Sequence, residues 1–209
     1  MTPENGGRRS DGERTHALIL EAATKLASIE GVHGLTIGRL AEVTGISKSG
    51  LYAHFGSKEQ LQLEVIRAAE EIRMREVVVP AMEAPEGLRQ IEALTEAYFS
   101  YVERNVFPGG CFFASLLAEA DARTGTIHDL VVESERESAV HMVEMVREAQ
   151  RAGELDRRTD PAQIAWEIDA VMTQTSFMYV LFRDPEALER GRKAVRRILD
   201  GAKRTTRKR

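Results

Sequence analysis

Apolar residues recur at helical spacing along most of the chain. In the segment 13–30, Ile19, Ala22, Ala23 and Leu26 fall on one side of a helix, and Gly31 follows as a C-terminal stop. Alternating β-branched runs are nearly absent, and the one strand-like stretch, REVVVPAM, is interrupted by Pro80. The pattern predicts an all-α protein of about nine helices, near 13–30, 36–43, 47–54, 57–78, 86–105, 110–121, 125–152, 161–182 and 185–201.

A short segment between two of these helices has a different composition. Residues 44–61, TGISKSGLYAHFGSKEQL, combine small residues, cations and aromatics. Thr36 and Ser47 are suited to cap two short helices, and Gly45 can take the left-handed conformation that ends the first of them. With Ala41 between crossing helices and Leu51 as an apolar anchor, the spacing predicts a helix-turn-helix. Its predicted inner face consists of Ile37, Leu40, Ile46, Leu51 and Phe55.

The opposite side of the second short helix is predicted to face solvent. Successive residues of a helix are rotated by about 100°, so a helix that buries Leu51 and Phe55 directs Ser49 and Ala53 outward. A surface this small can approach the DNA major groove closely, while the polar residues at its edges reach phosphates or base edges. The alternative is that these side chains only pack a helical corner. We predict DNA contacts from Arg39, Ser47, Lys48, Ser49, Gly50, Tyr52, His54 and Lys58.

The net charge of the chain does not itself favour DNA. The 209 residues carry a formal net charge of −4, so attraction depends on a local patch. Between residues 36 and 58, Arg39, Lys48 and Lys58 oppose only Glu42. The single cysteine, Cys111, excludes an internal disulfide. Neither a secretory leader nor an apolar run of about 20 residues is present, so we expect a cytoplasmic protein.

The stretch LTIGRLAEVTGISKSGLYAHFGSKEQLQLEVI resembles the N-terminal DNA-binding domain of the TetR family of transcriptional regulators. The resemblance covers roughly residues 13–66. It implies a homodimer with a divergent helical C-terminal domain that binds a small molecule and forms the dimer. We therefore expect a flexible arm at 1–12, a helix-turn-helix domain at 13–60, a ligand-binding and dimerisation domain at 61–202 and a basic tail at 203–209. The resemblance also implies DNA-contacting positions at Thr36, Lys48, Ser49, Tyr52, His54 and Lys58.

The last two predicted helices carry more apolar surface than one small subunit can hide. Apolar residues occupy nearly every side of 161–182 after Ile168, and 185–201 has an apolar stripe against a basic face. Two such helices from each of two subunits would form a four-helix interface, with Gly191 and Ala194 allowing close approach. An intramolecular core is the alternative. The predicted interface residues are Phe177, Val180, Leu181, Leu188, Gly191, Val195 and Ile198.

Aromatic and methionine residues in the second half predict a mainly apolar ligand cavity, although such residues also build ordinary cores. The predicted lining is Phe99, Cys111, Phe112, Phe113, Leu116, Met142, Met145, Trp166, Met172, Gln174 and Phe177. We predict no cofactor and no metal. Glu137, His141 and Glu144 share a helix face that suits a metal site or an exposed polar stripe. Cys111 has no adjoining cation to activate it, so we expect an inert thiol rather than a redox sensor.

Three classes of function compete. The first, which we favour, is a repressor that a small, mainly apolar ligand releases from a palindromic operator. The second is a transcriptional activator or a regulator that needs no ligand. The third is an enzyme centred on Cys111, His128 and Asp129, but the chain has no Gly-rich phosphate loop, metal motif or base spaced to activate the thiol. We therefore expect no enzymatic activity.

Overall fold

The computed structural model describes residues 5–120 and 124–203, with side chains from residue 12 onward. Within these ranges the protein has ten α-helices, one π-helical turn and no strand beyond the isolated bridge between Leu155 and Lys203. The predicted all-α class is confirmed. The helices are α1 (Asn5–Glu30), α2 (Ile37–Thr44), α3 (Lys48–Phe55), α4 (Lys58–Arg73), the π-turn (Met74–Val78), α5 (Val79–Met82), α6 (Leu88–Glu103), α7 (Phe112–Ala120), α8 (Thr126–Arg151), α9 (Pro161–Phe182) and α10 (Glu186–Ala202).

The chain divides into two compact units, Met1–Glu71 and Ile72–Arg209. The predicted domain boundary after residue 60 falls inside α4, whereas the units divide near the end of that helix. In the described ranges no helix is both long and apolar enough to cross a membrane.

The first unit is a small helical domain with a leucine-rich core. Leu40 of α2, Leu51 of α3 and Leu61 of α4 are completely buried. Polar side chains are buried in this unit as well, and one of them, Gln62, donates from Nε2 to the carbonyl oxygen of Val32 over 2.6 Å. The same oxygen also accepts from the N–H of Leu35 over 3.2 Å, so the bond from Gln62 joins the loop between α1 and α2 to α4.

The core of the second unit is built around the aromatic residues of α6. Tyr98, Tyr101, Phe107 and Phe112 form a chain of ring contacts with centroid separations between 5.4 and 6.2 Å. Aromatic pairs at this spacing add to the stabilisation from buried area alone. The methionines of α8, Met142 and Met145, and Met172 of α9 are also buried in this unit.

An aspartate side chain accepts a backbone hydrogen bond at the start of each of the two C-terminal helices. At the start of α9, Asp160 Oδ1 accepts from the N–H of Ala162 over 2.9 Å. At the start of α10, Asp184 Oδ1 accepts from the N–H of Glu186 over the same distance. Each carboxylate satisfies a donor that has no partner within the helix.

Two predicted boundaries differ from the structure at the chain's beginning and end. Residues 5–12, predicted as part of a flexible arm, form the first turns of α1. Extending a helix whose later turns are already formed adds a hydrogen bond for each residue that is ordered, so even a glycine-containing segment can continue it. Residues 1–4, and residues 204–209 of the predicted tail, lie outside the described residues, as do 121–123 after α7.

A wide helical turn replaces the predicted helix end at residue 78. The chain remains helical through Met82, and the N–H of Val79 bonds to the carbonyl oxygen of Met74, five residues earlier. Pro80 has no N–H, and its ring would clash with the carbonyl of an ordinary α-turn. The π-turn is the local adjustment that accommodates Pro80 without ending the helix.

Candidate nucleic-acid interface

The predicted helix-turn-helix is present between Thr36 and Phe55. Thr36 Oγ1 accepts from the N–H of Arg39 over 3.1 Å and caps α2. Gly45 has a φ of 71° and ends α2 in the left-handed conformation, which glycine adopts without a steric penalty. Ser47 Oγ then accepts from the N–H of Gly50 over 3.1 Å and caps α3. The caps and the turn predicted here are confirmed.

Helix α3 has an inward apolar side and an outward polar side, as its spacing predicts. Leu51 and Phe55 are buried, whereas Ser49 and Ala53 are exposed and Tyr52 is 52% exposed. Ile37 and Leu40 of α2 complete the buried side, and Ile46 is half-buried. The short side chains at positions 49 and 53 leave the centre of the outward face flat, so another macromolecule can come close to the helix backbone.

The three predicted cations of this unit have different surroundings. Arg39 is held by Glu30, with Nη2 to Oε1 at 2.7 Å, and by Glu42, with Nη1 to Oε2 at 3.1 Å. These carboxylates, Glu30 first, raise the pKa of Arg39 above its usual value, and Arg39 in turn lowers the pKa of Glu30. The guanidinium is therefore already neutralised. The local charge prediction missed Glu30 because it lies nine residues away from Arg39.

Lys58 and Lys48 have no ion pair within the described part of the chain. Lys58 donates from Nζ to the carbonyl oxygen of His33 over 2.9 Å, which fixes the start of α4 to the loop after α1. The ammonium of Lys48 lies over the start of α2, 3.7 Å from where a Cβ of Gly38 would be. Lys48 thus brings an unneutralised positive charge to the joint edge of α2 and α3.

His54 lies in the last turn of α3 and has a neighbour that the sequence did not indicate. The ring of His16, from α1, lies 5.6 Å from the ring of His54 and 4.9 Å from that of Phe55. No local spacing connects residues 16 and 54, so this pair becomes visible only in the folded unit.

The predicted ligand residues of the second unit do not line one common cavity. Most are packed into its core, but Trp166 is 67% exposed and Gln174 and Phe177 are exposed as well. The physical reason is that α9 buries Ile168 and Met172 on one side and turns Trp166 to the other. The buried predicted residues are Phe99, Cys111, Phe112, Leu116, Met142, Met145 and Met172, while Phe113 is half-buried.

A cavity of about 280 Å³ contains two of the predicted residues, Cys111 and Phe177. Its lining has no ionisable group other than the thiol and consists of Gly109, Cys111, Ser115, Ser176, Phe177, Met178, Val180 and Leu181. The N–H of Cys111 donates to Ser176 Oγ over 3.1 Å. Burial raises the pKa of the Cys111 thiol, which agrees with the predicted inert thiol.

Three of the predicted dimer residues are instead inside the subunit. Leu188, Gly191 and Val195 are buried, because the apolar stripe of α10 packs within its own subunit. A Cβ on Gly191 would lie 2.5 Å from Thr175 Oγ1, so glycine is required here by a contact between α10 and α9. Val180 and Ile198 are half-buried.

Helix α9 carries several exposed large apolar side chains of the second unit. Trp166 and Leu181 are each 67% exposed, Phe182 is 66% exposed, and Phe177 lies between them along the helix. Beside Trp166, a surface groove of about 450 Å³ includes Ala194 and Ile198 of α10. This exposed set, rather than the buried stripe of α10, is available to a second subunit.

The residues of the alternative catalytic site and of the alternative metal site are not brought together in the structure. His128 pairs with Asp129 in the first turn of α8, with Nδ1 to Oδ1 at 3.0 Å, while Cys111 is buried against Ser176. Glu144, from the proposed metal stripe, pairs instead with two arginines of α8. Among the described side chains there is no group of three His, Cys, Asp or Glu residues that could hold a metal ion.

Comparison with known proteins identifies relatives of both units. The model for bacterial regulatory proteins of the tetR family matches residues 19–65, and the model for the tetracyclin repressor-like C-terminal domain matches residues 87–195. The HTH-type transcriptional regulator LmrA of Bacillus subtilis is 33% identical over 90 residues, which are 41% of this chain and 47% of that protein. The chain thus spans about half the length of such curated relatives.

Solved structures match over nearly the whole chain. A TetR transcriptional regulator from Chloroflexus aurantiacus superposes with a TM-score of 0.83 at 26% identity and covers 93% of this chain and 98% of that one. AibR, solved in complex with isovaleryl coenzyme A and operator DNA, superposes with a TM-score of 0.65 at 21% identity and covers 89% and 94% of the two chains.

Proposed function

Because the chain belongs to the TetR family of transcriptional regulators, we propose that it is a cytoplasmic, homodimeric repressor that a small, mainly apolar ligand releases from a palindromic operator. The observation that carries the DNA-binding part is the outward face of α3, which is capped, flat at Ser49 and Ala53, and flanked by Lys48 and Tyr52. No enzymatic role is proposed, since the only thiol is buried and is not paired with a base.

In the proposed complex, α3 lies in the major groove. Ser49, Gly50 and Ala53 allow the helix to come close, and Lys48 reaches a guanine edge or a phosphate. Tyr52 and His54 contact phosphates at the edges of the groove, as do Thr36 and the N-terminal amides of α4. Arg39 is left out of this contact set, because releasing it from Glu30 would break a bidentate ion pair.

Lys58 has a double role in this proposal. Its bond to the carbonyl oxygen of His33 fixes the start of α4, and the same ammonium has two further N–H donors for a phosphate. Loss of Lys58 would therefore affect both the fold of the first unit and its affinity for DNA.

The proposed dimer uses the exposed side of α9 together with the groove beside Trp166. Trp166, Phe177, Leu181 and Phe182 are exposed apolar residues of this one helix, and the half-buried Ile198 of α10 lies in the groove beside Trp166. Several exposed apolar side chains on one helix favour association. A two-fold dimer places two copies of α3 about a symmetry axis, so its operator must contain inverted half-sites.

The cavity beside Cys111 is proposed as part of the effector site. It has serine hydroxyls and apolar side chains but no charged lining residue, which favours an uncharged or largely apolar ligand group. The crystal structure of AibR contains both isovaleryl coenzyme A and operator DNA, which supports the pairing of these two functions on this fold.

The proposal is tested by selecting fragments of the source genome that the purified protein retains. We expect an inverted repeat, bound by one dimer, and higher transcription from the adjacent promoter when the protein is removed. Selection of unrelated fragments would contradict operator recognition, and lower transcription on removal would make the protein an activator.

The dimer part has its own test. In sedimentation equilibrium, Leu181→Arg should give monomers that retain wild-type helicity, because it places a charge in the proposed interface. Val140→Arg is the matched control, since Val140 is equally exposed but lies on α8. A Leu181→Arg variant that dimerises as well as the control would overturn this interface.

A further inference from the structure

Three helices of the first unit meet around the side chain of His16. The imidazole of His16, from α1, contacts the rings of Phe55 and His54 at the end of α3. From the other side, His16 Nε2 lies 2.8 Å from Oε2 of Glu64 on α4. His16 and Glu64 are 48 residues apart in the sequence, so their contact is a feature of the tertiary structure.

The orientation of the His16 ring is fixed by this arrangement. A carboxylate only accepts hydrogen bonds, so Nε2 carries the hydrogen that it donates to Glu64. The side chains of His16 and Glu64 are 31% and 29% exposed, which partly shields their bond from water. Phe55, which is buried, supports the ring from the core side at a centroid distance of 4.9 Å.

His54 is the side chain that this fixed ring touches. The two imidazoles are 5.6 Å apart and tilted by 50°, and His54 also lies 6.3 Å from the ring of Phe55. His54 is half-buried and occupies the last turn of α3, beside the proposed DNA-binding face. Its ring is therefore confined by neighbours from α1 and α3 before any DNA is bound.

We propose that His16 is a positioning residue of the DNA interface: anchored by Glu64, it holds His54 in the orientation in which His54 contacts the DNA backbone. The inference rests on the proposed DNA-binding function. A side chain that is ordered beforehand loses less conformational entropy on binding, which corresponds to about two- to tenfold in affinity for each subunit. Because the contact is to the backbone, the effect is the same for specific and unrelated sequences.

A purely structural role for His16 makes a different prediction. If His16 only stabilised the packing of α1 against α3, its removal would act on DNA affinity independently of the side chain at position 54. If it acts through His54, its removal has no further effect once His54 is gone. A double-mutant cycle separates these cases, since non-additivity identifies residues that act together.

The experiment measures the affinity of His16→Ala, His54→Ala and the double variant for the same fluorescein-labelled genomic duplex by anisotropy. We expect each single variant to bind more weakly by about two- to tenfold per subunit, and the double variant to match His54→Ala. Independent, multiplicative losses in the double variant would overturn the inference, as would wild-type affinity of either single variant. A wild-type protein that does not discriminate the selected duplex from unrelated DNA would instead refute the proposed function.

Substitutions of Glu64 keep the test decisive if His16→Ala does not fold. Glu64→Gln retains an oxygen that accepts from Nε2 and should bind DNA like the wild type, whereas Glu64→Leu should bind about two- to tenfold more weakly per subunit. Lys25→Ala is the matched control on α1, because Lys25 is exposed and pairs only within its own helix. Equal affinities of Glu64→Gln and Glu64→Leu at equal helicity would overturn the positioning role.

Discussion

Replacing Gly191 by alanine should destabilise the second unit even though alanine is the better helix former. A Cβ at this position would lie 2.5 Å from Oγ1 and 2.8 Å from Cγ2 of Thr175, and 3.0 Å from Cε1 of Phe99. Thr175 cannot relieve both contacts by a rotamer change, because rotation about its stiff χ1 exchanges one γ-atom for the other. The contact must therefore be relieved by moving α10 away from α9.

The expected size follows from two opposing effects. Overpacking a core costs about 1–3 kcal/mol, while a glycine-to-alanine change inside a helix gains about 1 kcal/mol. We therefore expect a net loss of about 1 kcal/mol in the free energy of unfolding. Gly201 is the matched control on the same helix, since a Cβ there would meet no atom within 4 Å. Gly201→Ala should be neutral or stabilising.

Urea unfolding followed by circular dichroism at fixed protein concentration measures both variants, and the difference between them should be about 1–3 kcal/mol. Thr175→Ala in the Gly191→Ala background should recover part of the loss, because it removes both close γ-atoms. If Gly191→Ala is as stable as Gly201→Ala, the tight contact between α9 and α10 is not present in solution.

Three further predictions follow from the contacts of single side chains. Lys48→Ala should reduce the slope of log affinity against log salt concentration by about one unit, without loss of stability. Lys58→Ala should instead lower both the affinity for DNA and the melting temperature. Fluorescence anisotropy and thermal melts measure these effects. Glu76→Gln should lower the free energy of unfolding at pH 7 by about 0.5–1 kcal/mol, because Arg104 lowers the pKa of Glu76. The stabilisation by Glu76 is fully present above the ordinary carboxyl pKa and is lost as the pH falls through the lowered pKa. Urea unfolding at several pH values measures this dependence. Cys111, whose pKa is raised by burial, should react with iodoacetamide at pH 8 about tenfold or more slowly in the native than in the unfolded protein.

Local chemistry made the helix-turn-helix predictable from the sequence. Thr36 and Ser47 cap their helices through bonds to residues three positions later, and Gly45 takes its conformation because it lacks a Cβ. Asp160 caps α9 in a similar way, through a bond to Ala162 two positions later. Each of these features depends on neighbours in sequence, which a pattern along the chain can show.

Contacts between distant residues account for what the sequence did not show. The burial of Gly191 depends on Thr175 and Phe99 of other helices, so an apolar stripe on α10 predicts burial but not the partner that provides it. Trp166 has helical spacing with buried residues of α9, yet it faces outward. The bond from His16 to Glu64 likewise joins residues that no sequence spacing connects.

The central claim, that the outward face of α3 binds DNA, is tested most directly by placing a negative charge at its centre. Ala53 is exposed, so Ala53→Glu leaves the core of the first unit unchanged, and Val140→Glu makes the same change at an exposed position of α8. Fluorescence anisotropy on the genomic duplex selected by the wild type should show at least about a hundredfold loss of affinity for Ala53→Glu, since repulsion by phosphates adds to the loss of close approach. Val140→Glu should bind like the wild type. Wild-type affinity of Ala53→Glu would contradict the assignment of α3 as the recognition helix.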